Sequence, residues 1–266
     1  MKYSRDTFPS AIEACFLVVA LLVVELAVGA VMLQFRSVTG LEWQDLWGFI
    51  TIVGNGVLFS VLMHFKQQRY GDLLHPSKNS VTATLGVVGL PVLMLVPGLV
   101  VLGSAMQYLL IALFPMSSAD QRLFEFMTTG VGSTLVVCVV APVLEEMLFR
   151  GVILRSFLNQ YSRKFSIIAS SVIFGVVHFN VYQFFIGLGI GLVLGWLYDR
   201  TRSLWPGILL HTAYNSTLMW IYAADTTANV SDTWLPSPAS AVIMLAISVV
   251  GALLLRKVLT VCAART

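Results

Sequence analysis

Long apolar runs separated by short polar clusters set the pattern of this chain. A membrane-crossing helix needs about 20 mostly apolar residues. Eight runs approach that length: 10–34, 46–65, 82–113, 124–157, 165–180, 182–198, 204–222 and 238–255. The third and fourth are too long for one straight crossing. Pro91 and Pro97 are expected to bend the third, and Ala141-Pro142 to interrupt the fourth. The fifth and sixth are short, which suits helices shielded by neighbours or placed in locally thin bilayer. The pattern predicts an all-α polytopic membrane protein of about eight transmembrane helices. No tandem repeat or low-complexity linker divides it, so residues 1–266 read as a single integral membrane domain. The polar connection 223–237, with Asp225 and Asp232, is the longest outer loop. A lid over an outward opening is one reading of it, and a plain connector is the simpler one.

Composition excludes the soluble alternatives. Residues of the AVILMFWYC set make up 58% of the chain, charged residues 11%, and mean hydropathy is +0.86. A soluble surface should be roughly a quarter to a third charged, and disorder needs low hydrophobicity with high net charge. The net charge of +3 forms no basic stripe interleaved with aromatics, so no nucleic-acid partner is expected. Its sign reflects loop orientation instead. With the N-terminus inside, thirteen of the 16 Lys and Arg fall on the cytoplasmic side, among them Lys2, Arg5 and Arg265. Arg36 and Arg122 fall outside and Arg150 lies within a span, the asymmetry the positive-inside rule expects. Both termini are therefore expected in the cytoplasm. The basic start followed by an apolar run to about Phe35 is too long for a signal peptide and reads as an uncleaved first span. Cys15, Cys138 and Cys262 suggest no disulfide framework, and Cys262 stands fifth from the end where a prenylation box needs it fourth. Tyr3, Trp43, Trp47, Tyr70, Tyr198, Trp205 and Trp220 lie near proposed span ends, as an interfacial belt would.

Scarcity of charge makes the deep charges conspicuous, because an intramembrane ionisable residue costs several kcal/mol unless paired or hydrated. Four lie deep: Glu25, Glu145, Glu146 and Arg150. Glu146 and Arg150 share a helix face in the favourable order, while Glu145 is turned about 100° away and has no partner in its own helix. One carboxylate is neutralised locally and the other can face a cavity, as a base beside its support would. A salt bridge that only fixes packing also fits. His178 ends an apolar run one turn after Phe174, and His211 stands one turn before Asn215 on a single helix face. Each has a packing reading beside the catalytic one. Depth favours a site: Glu145, His178, His211 and Asn215 lie on the order of 10–20 Å from the cytoplasmic ends of their helices. Packing accidents have no reason to agree in depth.

No serine or cysteine nucleophile accompanies a base here, but a carboxylate, two imidazoles and a carboxamide suit activation of water. Glu145 would take its proton, with His178 holding the water. His211 and Asn215 would donate to the oxyanion formed at an attacked carbonyl. Gly187, Gly191 and Gly195 form a ridge of small residues that permits close helix packing. Glu25 reads as paired internally or protonated, with a place at a substrate entrance or partner helix as the alternative. His64, Asn55 and Gln107 stay unassigned.

Glu145-Glu146-x-x-x-Arg150-Gly151, then Phe174-x-x-x-His178, then His211-x-x-x-Asn215, resembles the CPBP family of intramembrane proteases. That family includes the CAAX prenyl endopeptidases and the bacteriocin-processing, Abi-type enzymes. The resemblance spans about Val140 to Ser216, a motif-bearing core of roughly 140–216. It implies an eight-helix membrane endopeptidase acting on a peptide or membrane-protein substrate. It places Glu145 as the water-activating glutamate, Glu146 and Arg150 as its support, His178 beside the water, and His211 with Asn215 on the oxyanion. The family is often labelled a metalloprotease, and two histidines with a glutamate could bind zinc. Yet His-Glu-x-x-His is absent and a carboxamide is a poor zinc ligand, so no cofactor is expected and zinc is the alternative. A non-catalytic member that holds a membrane partner and a proton-coupled transporter are the competing functions. Short loops favour a bacterial cell membrane. The pattern is silent on oligomeric state.

Overall fold

The structure, a computed structural model, describes residues 7–40, 43–224 and 234–263. The basic residues Lys2, Arg5 and Arg265, Tyr3, and Asp225 and Asp232 of the outer loop lie outside the described residues. Every regular element among the described residues is helical. In chain order they are α1 (Ala11–Thr39), α2 (Trp43–Lys66), α3 (Tyr70–Leu74), α4 (Val81–Leu93), α5 (Val96–Leu113) and α6 (Ser118–Thr128). Then come α7 (Val131–Gln160), α8 (Arg163–Val176), α9 (Val181–Thr201), α10 (Trp205–Ala224) and α11 (Pro238–Ala263).

Local chemistry sets the ends. Ser10 and Glu13 form a capping box that starts α1, and Ser117 and Asp120 form another at α6. The Asn180 side chain accepts from the amides of Tyr182 and Gln183 to start α9. Gly40 closes α1 in the left-handed region at φ 69°, where its N–H reaches the Arg36 carbonyl.

Five helical segments are long and apolar enough to cross a bilayer: Ala11–Arg36, Leu46–Lys66, Val96–Leu113, Val181–Thr201 and Pro238–Thr260. The pair Ser118–Thr128 and Val131–Gln160 makes a sixth if taken as one broken span. The chain is an integral membrane protein. The eight-helix expectation further needs α8, which has only 14 residues, and α10, diluted by His211, Thr212, Asn215, Ser216 and Thr217. Val81–Leu93 is a shorter apolar helix. The run 82–113 divides into α4 and α5 at Met94 and Leu95, with Pro97 at the start of α5 and Pro91 held inside α4.

One expectation fails clearly. Pro142 does not interrupt its helix. The break comes earlier, at Gly130, whose φ of 90° is open to glycine and strained for other residues, and α6 departs from α7 at 84°. α7 tolerates Pro142 by widening. Val136–Val140 and Glu146–Leu154 are π-helical, so the amide of Ala141 reaches back five residues to Val136. Such widening inside an α-helix is uncommon and clusters at functional sites.

Two apolar clusters hold the bundle. One joins α2, α7 and α8 through Phe59, Leu62, Phe149, Phe157 and Phe174. The other joins α4, α5, α9, α10 and α11 through Val92, Val100, Leu194, Leu210 and Leu255. The small-residue ridge packs α9 on α8: a Cβ on Gly187 would lie 3.5 Å from Gly175, on Gly191 3.0 Å from Ser171, and on Gly195 3.1 Å from Ile167. Tyr198 departs from the belt expectation. It is buried, because it lies on the inner face of α9 against the α7 cluster, whereas Trp220 and Tyr70 are exposed.

Candidate active site

The ordered pair on α7 forms as its spacing requires. Arg150 Nη1 donates to Glu146 Oε1 at 2.8 Å, and both side chains are 1% exposed. The guanidinium also donates from Nη2 to the Gly191 carbonyl of α9 at 3.3 Å. It lies over the Phe174 ring, 4.5 Å from the centroid, a cation–π contact in a desolvated place. α10 brings His211 between the two carboxylates, with Nδ1 3.3 Å from Glu146 Oε1 and Nε2 3.7 Å from Glu145 Oε2. Glu145 is the open member, its side chain 29% exposed.

Glu145, His178, His211 and Asn215 line one cavity of about 350 Å³. Trp47, Phe124, Met127 and Tyr222 supply much of its apolar wall. The Nδ1 of His178 lies 2.9 Å from the Phe174 carbonyl. A carbonyl only accepts, so Nδ1 carries the proton and a neutral His178 keeps its Nε2 lone pair. Asn215 Nδ2 donates to the Val137 carbonyl at 2.9 Å, which leaves its second N–H and its Oδ1 uncommitted there.

The six polar residues named from sequence thus fall in one assembly: Glu146 and Arg150 sealed behind, the other four on the cavity wall. Sequence reasoning missed two parts. Phe174 was noticed only as a spacing mark, yet its ring meets His178 and His211 edge-on at 5.3 and 5.8 Å between centroids. Gly207 was not noticed, although a Cβ there would lie 2.8 Å from Glu146 Oε2. Its spacing of four from His211 placed it on the same helix face, and that signal was available. Gln107 also lines the cavity and bonds to Tyr222. Glu25 is paired, accepting from Asn55 Nδ2 at 3.1 Å, and lies within electrostatic range of Glu145.

Zinc fits poorly. Among the described residues no three His, Cys, Asp or Glu side chains converge as a metal would require. The Arg150 charge already answers Glu146.

Comparison with known proteins finds similarity over the same segment. Residues 128–217 match the family model described as type II CAAX prenyl endopeptidase Rce1-like. A candidate membrane peptidase of Bacillus subtilis, YdiL, is 25% identical over 182 residues, covering 66% of this chain and 71% of that protein. No solved structure matches significantly. The matched segment contains all six polar side chains of the assembly, and over that segment the chain is similar to the CPBP family of membrane proteases.

Proposed function

We propose that the protein is an intramembrane endopeptidase that hydrolyses a peptide bond with water activated by Glu145 and His178. The observation that carries this reading is the division between adjacent carboxylates. Glu146 is sealed against Arg150 and His211, while Glu145 opens to a cavity shared with His178, His211 and Asn215.

Water bound between Glu145 and the Nε2 lone pair of His178 attacks the scissile carbonyl carbon and gives its proton to Glu145. The oxyanion accepts from Asn215 through its second N–H and from His211 Nε2. With Nδ1 of His211 donating to Glu146, donation from Nε2 as well requires the imidazolium, whose charge with that of Arg150 balances the two carboxylates. Collapse breaks the C–N bond, and the proton held on Glu145 passes to the leaving amine. Burial among apolar residues strengthens each of these interactions relative to water. No metal takes part. The substrate is a peptide or membrane-protein segment, and the site of action is a bacterial cell membrane crossed several times.

The test compares purified wild type with Glu145→Ala and His178→Ala on a candidate peptide, and compares protein termini in cells with and without Glu145→Ala. Both variants should stay folded by size exclusion and lose cleavage, with specific termini missing. A chelator should leave cleavage within about twofold, against the large losses that follow removal of a catalytic metal. Full activity in either variant would sink the proposal, and zinc-restored loss after chelation would sink its metal-free form.

A further inference from the structure

Pro142 lies between Glu145 and the π-helical turn Val136–Val140, and the mechanism above gives it no role. Its effect follows from hydrogen-bond counting. In the register set by the Ala141 amide on the Val136 carbonyl, the next donor would be residue 142 and its acceptor the Val137 carbonyl. Proline has no N–H, so that carbonyl is left for an outside donor. Asn215 supplies it, with Nδ2 at 2.9 Å. Val137, Ala141 and Glu145, spaced by four, line one wall of the cavity, and Asn215 lines it from α10.

We infer that Pro142 is a positioning residue: by withholding an amide proton it reserves the Val137 carbonyl for Asn215 and so aims that carboxamide at the reaction centre. A carboxamide is planar. Once one N–H is fixed on a carbonyl, the directions of the other N–H and of Oδ1 are fixed too. One turn away, His211 contacts Glu146 and faces Glu145, so α10 is held to α7 on both sides of the proline. Replacing Pro142 with alanine restores a backbone donor whichever register results. The π register pairs residue 142 with Val137, and the α register pairs residue 141 with Val137. Either way the carbonyl no longer needs Asn215.

This inference rests on the protease reading, and its test separates the two. Cleavage and thermal unfolding in detergent are measured for wild type, Pro142→Ala, Asn215→Ala, the double variant, and Pro91→Ala as a proline control inside α4. Pro142→Ala should keep or raise the unfolding temperature, hold KM within about twofold and lower kcat about tenfold, as a small misplacement does. Asn215→Ala should lower kcat about a hundredfold, and the double variant should match Asn215→Ala rather than multiply the losses. Pro91→Ala should cleave at the wild-type rate. The unfolding cycle reads the same coupling without activity: Asn215→Ala should lower the temperature by several degrees beside Pro142 and hardly at all beside alanine. Multiplicative rates, an undiminished Pro142→Ala rate, or equal temperature drops in both backgrounds would overturn the inference. A wild type that cleaves nothing sinks the protease reading alone and leaves the unfolding cycle to decide this one.

Discussion

Gly207→Ala adds one methyl group at the tightest point behind the site. Its Cβ would lie 2.8 Å from Glu146 Oε2, well inside the 3.4 Å of ordinary contact, and 3.6 Å from the Leu194 side chain. The carboxylate cannot swing aside, because Oε1 is held by Arg150 at 2.8 Å and by His211 at 3.3 Å. Helix propensity works the other way, favouring alanine by about 1 kcal/mol. Overpacking costs about 1–3 kcal/mol, and outright loss of a buried pair would cost about 3–5 kcal/mol. A partly loosened pair therefore leaves a net loss of about 2 kcal/mol, or a fall of roughly 4–8 °C in unfolding temperature. Gly189→Ala is the matched control, since a Cβ there meets nothing within 4 Å. Thermal unfolding in detergent should show Gly207→Ala destabilised and Gly189→Ala unchanged or slightly stabilised, with cleavage impaired only in the former. Equal stability of the two alanine variants would refute the account of Glu146 as a carboxylate clamped in place.

Two further outcomes follow from the same contacts. Arg150→Met leaves Glu146 charged and buried, so the folded yield should collapse with a loss of about 3–5 kcal/mol. Adding Glu146→Leu should recover most of that stability without recovering cleavage, and a single Arg150→Met variant as stable as wild type would contradict the pairing. Asp120→Ala removes the α6 capping box and the acceptor of Asn180 Nδ2, which lies 3.0 Å from Asp120 Oδ1. With about 1 kcal/mol of cap lost, amide exchange over 118–128 should speed roughly fivefold while that over 190–201 holds. Uniform acceleration would show that α6 is not a separately opening segment.

What the sequence made legible was whatever depends on residue type and local period. The apolar runs located the helices, and the spacing of Glu146 and Arg150 foretold their bond, because four residues along a helix return to one face. Agreement in depth brought His178, His211 and Asn215 to Glu145. Tertiary adjustments stayed hidden. Pro142 in an apolar run reads as a break, and only the packed helix shows the π-helical turns that absorb it and the asparagine that takes the freed carbonyl. Gly130 marks the true break through its backbone angle, which no composition reveals. Phe174 resembled any core aromatic until Arg150 and two imidazoles were seen around it. Tyr198 showed the reverse error, since position near a helix end says little about which way a side chain turns.

The sealed assembly on α7 also bears on how the chain is made. As this segment leaves the ribosome it carries Glu145, Glu146 and Arg150 within six residues. Each costs about 2.5–3.5 kcal/mol in an insertion assay at a helix centre, against about 0.3–0.6 kcal/mol gained per Leu, Ile, Phe or Val. The groups that answer those charges arrive later in synthesis: the Phe174 ring, the Gly191 carbonyl and His211. α7 is therefore a poor passenger on its own, and its stable residence in the lipid waits on helices translated up to 65 residues afterwards. Truncation between α7 and α10 should release a segment that the insertion machinery handles as half-soluble, which makes integration of this protein a concerted event and not a helix-by-helix one.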